Sequence, residues 1–242
     1  MHLYVEKGNG FTAWAVQIRT PANTANTDGI DIDSFTNATV YGSYIEDGDD
    51  GVVVKTNSNG ASNITVKNNT FHGTHGMSIG SQTMYGVTNV LWVNNTMYGT
   101  DEWGNVATDN NGIRIKADPT CGGNVKQVTF QNTCMTGIKH LLGFNTHYGT
   151  CSGSSGTPWF TDIVVNGVKA VNSQSGAYSK FNGYDSSHLL DVTLENISLD
   201  ITSQSGNQYA SVGLYNSNIT PTGTGVTTFA VTGSGSVPTC SF

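Results

Sequence analysis

One short pattern, returning four times, limits what this chain can fold into more than any other feature. It reads Asp28-Gly29-Ile30-Asp31-Ile32, Asp50-Gly51-Val52-Val53-Val54, His75-Gly76-Met77-Ser78-Ile79 and Asn111-Gly112-Ile113-Arg114-Ile115. Each copy is a polar residue, a glycine and an apolar-x-apolar strand. The glycines at 29, 51, 76 and 112 are 22, 25 and 36 positions apart, a recurrence that points to a solenoid. A second strand type recurs beside it: the stretch from Asn63 to Thr70 returns from Asn89 to Thr96, and more loosely from Asn124 to Thr133. Each carries asparagine just before its closing threonine, a residue that favours a turn and bonds up and down a stack of identical corners. At least two short strands per turn predict an all-β chain, a right-handed parallel β-helix rather than a sandwich.

Equivalent positions in such a stack lie about 4.7–4.9 Å apart. Asp28, Asp50 and His75 then form a ladder on one surface, with Asp49 one residue further out. Alternation sends Asp31, Asp33, Val53, Lys55, Ser78, Gly80, Arg114 and Lys116 outward. It would turn the residue before each glycine inward; the glycine, which tolerates unusual φ, is expected to release it.

Three carboxylates and an imidazole within three consecutive turns suit glycoside hydrolysis. One carboxyl protonates the leaving oxygen and another serves as base or nucleophile. Crowding is expected to keep one of them protonated, with His75 tuning that proton or orienting a carboxylate. Arg114 and Lys116, two residues apart, leave the same face and suit a carboxylate on the substrate. Alone, Asp-Asp-Gly is common in turns and Arg-x-Lys is usually a solvated strand face. Their common frame joins them into one site.

The chain has 242 residues, 36% hydrophobic and 11% charged, which fits one all-β domain over residues 1–242. Its net charge of −7 disfavours nucleic acid, and an anionic substrate needs a local positive patch. No run suits a transmembrane helix, so no membrane partner is expected. No Cys-x-x-Cys spacing suggests zinc, and neither metal nor cofactor is expected. Asn-x-Ser/Thr sequons at Asn37, Asn63, Asn68, Asn94, Asn196 and Asn218 favour a secreted glycoprotein. Disulfides among Cys121, Cys134, Cys151 and Cys240 would fit that compartment, with three connectivities open. Met1 leads straight into a strand without leader features. The chain is therefore expected to be the C-terminal part of a longer catalytic domain, lacking the N-terminal coils. The insertion from Tyr98 to Asn110, with Trp103, is expected to wall a groove.

At these residues the chain resembles glycoside hydrolase family 28, the polygalacturonases and relatives. The family's motifs appear in order as Asn26-Thr27-Asp28-Gly29, Gly48-Asp49-Asp50-Gly51, Thr74-His75-Gly76 with Ser78 to Ser81, and Arg114-Ile115-Lys116. The resemblance implies inverting hydrolysis of α-1,4 galacturonosyl bonds in pectin by a secreted monomer. It implies Asp49 as general acid, Asp28 and Asp50 as the pair activating water, and His75 as support for the acid. Asn26, Arg114, Lys116 and Tyr148 are implied on the substrate, the two cations on the galacturonate carboxylate. Two departures stand out. Gly51 replaces a cysteine and Thr74 a glycine, and the lost disulfide is expected to loosen the cleft. The wording Asp-Gly-Asp-Asp-Gly-Val-Val-Val-Lys looks closest to fungal xylogalacturonan hydrolases. The alternatives are an exo-polygalacturonase on unsubstituted galacturonan, a calcium-dependent lyase, and a carbohydrate-binding solenoid without turnover.

Overall fold

A computed structural model describes residues 1–149 and 156–242. It holds twenty strands joined edge to edge in one continuous sheet, with no helix among the described residues. Every pairing between these strands is parallel, and the chain winds as a right-handed parallel β-helix.

The early coils carry three short strands each, one more than the minimum read from the sequence. The first face stacks Leu3–Glu6, Ile30–Asp33, Val52–Lys55, Met77–Ile79, Asn111–Lys116, His140–Asn145 and Tyr178–Asn182. The second begins with Asn9–Trp14, Thr36–Tyr41, Ala61–Lys67 and Val87–Val93. The third begins with Gln17–Arg19, Tyr44–Glu46, Thr70–His72 and Thr96–Tyr98.

Alternation along each strand fills the interior. Ile30, Val52, Met77 and Ile113 stack in register, as do Ile32, Val54, Ile79 and Ile115, and all eight are fully buried. On the second face Val40, Val66, Trp92, Phe130 and Val165 form a column, with the Trp92 and Phe130 rings stacked at 5.7 Å. Burying each such side chain contributes about 1.5–3 kcal/mol. β-Branched and aromatic residues dominate because they fit a pleated, crowded surface.

The corners are asparagine ladders. Asn37, Asn63 and Asn89 all have φ near 57° and stack, with Asn89 Nδ2 donating to Asn63 Oδ1 at 2.7 Å and Asn63 Nδ2 to Asn37 Oδ1 at 3.0 Å. A buried ladder runs at the next corner. Asn95 Oδ1 accepts from the Asn69 backbone N–H at 3.0 Å, and Asn95 Nδ2 donates to the Val66 carbonyl at 3.0 Å. Asn196 corrects the reading of the sequons. It is fully buried, and its Nδ2 donates to Asn166 and Ser234, so the folded chain leaves no room for a glycan there. Of the cysteines, Cys134 pairs with Cys240 across 106 positions, and Cys151 lies outside the described residues.

Candidate active site

The residues before the glycines meet at the start of the first-face strands. The Gly29 N–H donates to the Asp50 carbonyl at 2.9 Å, the His75 N–H to Asp49 at 2.6 Å and the Gly51 N–H to Gly76 at 3.1 Å. Asp28, Asp50 and His75 therefore occupy one position on successive coils. Their side chains face outward. Lys55 Nζ donates to Asp28 Oδ2 at 3.2 Å, and Ser78 Oγ to Asp50 Oδ1 at 2.7 Å. Close approach as much as unusual φ explains the glycines. A Cβ on Gly29 would sit 2.3 Å from the Gly51 carbonyl oxygen, whereas Gly76 does adopt φ +100°.

Asp49 stands against the imidazole. His75 Nδ1 lies 3.0 Å from Asp49 Oδ1. Burial pushes the Asp49 carboxyl up, but the hydrogen bond and charge of His75 outweigh it and bring the pKa down to about 2. Crowding does not keep a proton on Asp49, the residue that the family resemblance implies as the acid. The raised carboxyls stand behind it. Burial lifts Asp31 to about 6 against the pull of Lys55. Burial also lifts Asp47 well above the usual range, although Asp47 Oδ1 accepts the Asp49 N–H at 3.0 Å. Donor atoms of Asp49, Asp50 and His75 lie within 4.8 Å of one another, a spacing a cation would also accept. Lys116 and Arg114 already pair with Asp50, and His75 contacts Asp49.

The two cations bridge the carboxylates to an aromatic ring. Lys116 Nζ donates to Asp50 Oδ2 at 2.8 Å. Arg114 Nη2 donates to Asp109 Oδ2 at 2.5 Å, while its Nη1 lies 3.6 Å from Asp50 and is buried without a hydrogen bond. Tyr148 covers both, its ring centre 4.8 Å from Arg114 Cζ and 5.0 Å from Lys116 Nζ. Asn26 is exposed at the rim of the cleft that Asp28, Asp49, Asp50, Lys55 and Lys116 line. Asn26, Asp28, Asp49, Asp50 and Lys116 thus line one cleft with His75 against Asp49, while Arg114 and Tyr148 line the adjoining cavity that shares Lys116.

Lys55, Ser78 and Asp109 also belong to this site. Lys55 and Ser78 were legible as outward residues of the recurring strands. Asp109 was not, because it lies in the insertion, outside the frame. Its carboxyl is pushed up by burial and held well below the usual range by His140 Nδ1 at 3.0 Å and by Arg114. The insertion itself is pinned to the opposite turn. Asp101 Oδ2 accepts the Ala22 N–H at 2.8 Å, and Glu102 pairs with Arg19 at 2.6 Å, leaving the Trp103 side chain exposed. The place beside Gly51 is closed rather than loose. A Cβ there would meet the Phe71 ring at 2.7 Å and the Thr74 methyl at 3.2 Å. Packing by Phe71 and Thr74 fills this region.

The sequence model described as glycosyl hydrolases family 28 matches residues 1–219. An endo-polygalacturonase of Pectobacterium carotovorum subsp. carotovorum is 37% identical over 200 residues, covering 82% of this chain and 46% of the relative. A polygalacturonase of Ralstonia nicotianae is 35% identical over 188 residues, covering 76% of this chain and 34% of the relative. Among solved structures, the polygalacturonase from Erwinia carotovora ssp. carotovora superposes with a TM-score of 0.77 at 34% identity, covering 87% of this chain and 53% of that one. The chain thus spans less than half the length of these curated relatives. Both are described as polygalacturonases, and the likeness to fungal xylogalacturonan hydrolases gains no support from them.

Proposed function

The chain belongs to glycosyl hydrolases family 28, and from that premise we propose that it hydrolyses α-1,4 galacturonosyl bonds of the pectin backbone. The observation that carries this reading is the network that joins Asp49 to His75 and Asp50 to Arg114 and Lys116 beside Asp28.

In this reading Asp49 protonates the leaving glycosidic oxygen. The proton reaches Asp49 through its contact with His75. Moving it onto Asp49 costs less once substrate displaces water, because desolvation disfavours the carboxylate. Asp28 and Asp50, paired with Lys55 and Lys116, accept the proton of the attacking water. The substrate carboxylate is held by the Arg114 and Lys116 cations beside the Tyr148 ring. Asn26 contacts the sugar from the rim. Attack opposite the leaving group inverts the anomeric centre.

Product analysis tests the assignment. Plain polygalacturonate is expected to give new reducing ends without an unsaturated product, and nuclear magnetic resonance to show inversion in the first-formed sugar. Internal cleavage, as the name of the Pectobacterium relative describes, gives a ladder of oligomers, whereas release of single units marks an exo enzyme. Xylose-substituted galacturonan in parallel shows whether the cleft accepts branches. An unsaturated product that disappears with a chelator would replace hydrolysis by elimination, and binding without cleavage would leave only a carbohydrate-binding solenoid.

A further inference from the structure

Behind Asp49 lies a carboxyl with no part in the proton transfers proposed above. Asp47 follows the strand Tyr44–Glu46 and is fully buried. Its Oδ1 accepts the Asp49 N–H at 3.0 Å, the two-residue reach by which an aspartate closes a turn on its own backbone. Its Oδ2 is shut off from water without a hydrogen-bond partner and packs on the neighbouring turn, where a Cβ on Gly29 would meet it at 2.8 Å. One side chain thus touches the backbone beside Asp28 and the backbone of Asp49.

Two observations make this carboxyl an uncharged one. The first is its company. Asp28, Asp49 and Asp50 face it, and each nearby cation is bonded elsewhere: Lys55 to Asp28 and Asp31, Lys116 and Arg114 to Asp50, His75 to Asp49. The second is its single hydrogen bond. An ionised carboxylate offers about four acceptor sites, and burying one with a lone backbone donor and no counter-ion is costly. Burial accordingly lifts the Asp47 carboxyl well above the usual range against that one bond, and Asp50, Asp28 and Asp49 add to the rise.

The rest of the corner is fixed from other sides. The Gly48 N–H donates to Thr27 Oγ1 at 2.9 Å, and a side chain on Gly48 would strike the Thr24 and Ala22 carbonyls. The Asp50 N–H donates to Asp49 Oδ1 at 2.9 Å, and the His75 N–H to the Asp49 carbonyl at 2.6 Å. The Asp49 N–H is left for Asp47.

We propose that Asp47 is a positioning residue that holds Asp49 against His75 as an uncharged acid, supplying the turn with an acceptor without setting a fourth negative charge behind the cleft. The proposal rests on the reading of Asp49 as the proton donor.

Substitution at Asp47 tests it. Asp47→Ala leaves the Asp49 N–H without its partner and is expected to lower kcat on polygalacturonate about tenfold, the scale of one hydrogen bond, with KM little changed. Asp47→Asn keeps a neutral acceptor and restores kcat. Denaturant midpoints read the charge without turnover. A folded-state pKa above the ordinary 3.8 makes the parent lose stability as pH rises from that value. Asp47→Asn does not share this loss, so the gap between the two widens toward neutrality. A gap that is constant with pH, or a kcat in Asp47→Asn as low as in Asp47→Ala, overturns the proposal. Where Asp47→Ala fails to fold, the pH dependence of the Asp47→Asn gap decides alone. Nuclear magnetic resonance of the His75 imidazole is expected to show a shift in Asp47→Ala that Asp47→Asn reverses. That response in a protein that never cleaves galacturonan would refute the hydrolase reading and leave the positioning role standing. Cleavage with kcat unchanged in Asp47→Ala would do the reverse.

Discussion

The His75 imidazole bonds the Asp49 carboxylate through Nδ1 at 3.0 Å, and this contact brings the Asp49 pKa down to about 2. An acid catalyst at that position has to draw its proton from the pair. Hydrolysis is therefore expected to fall above neutrality, as a proton for Asp49 becomes scarce. His75→Gln removes the partner and should move the alkaline limb of kcat/KM to lower pH. Profiles that superimpose for the two proteins would exclude this route.

The same contact has a stability consequence with a definite sign. The folded-state pKa of Asp49 lies below its ordinary 3.8, and that of Asp109 is also lowered. Each contributes stability that is present above the ordinary value and lost as pH falls through the folded one. Denaturant midpoints should fall steeply between about pH 4 and pH 2, and less steeply in His75→Gln. A flat profile over that window would contradict the assignment.

Asp50 is 2% exposed and leans on Lys116, itself 6% exposed. Lys116→Met leaves a buried carboxylate short of its partner and is expected to cost about 3–5 kcal/mol. Adding Asp50→Asn should recover part of that loss, because it removes the stranded charge. Urea denaturation of the two single variants and the double variant measures the coupling. Strict additivity would mean that the pair contributes nothing.

Asn95 gives a prediction independent of the cleft. Its side chain serves the Asn69 N–H and the Val66 carbonyl, both away from water. Asn95→Ala strands both and should cost about 2–6 kcal/mol, the sum of two unmet buried groups. Asn63→Ala, in the exposed ladder, should cost less than about 1 kcal/mol. Equal losses would show that burial is not what makes the inner ladder matter.

Much of this was legible because a solenoid repeats its local rules. The spacing of Gly29, Gly51, Gly76 and Gly112 fixed which residues stack, and alternation put Arg114 and Lys116 outside and Ile113 and Ile115 inside. The asparagine corners followed from the same repeat. What escaped lies outside the repeat or depends on distance. Asp109 comes from an insertion and reaches Arg114 only in three dimensions. Third-face strands such as Tyr44–Glu46 are three residues long, too short to show a period. The direction of the Asp49 shift turns on whether burial or the imidazole prevails. Spacing in the chain says nothing about that balance. Gly51 looked like a lost tie and is a packing position against Phe71.

Turnover of Asp49→Asn on polygalacturonate tests the central claim most directly. The account predicts that kcat for reducing-end release drops by about 10²–10⁴-fold while the melting temperature stays within a few degrees of the parent. Release of reducing ends at the parental rate by a folded Asp49→Asn protein would contradict it.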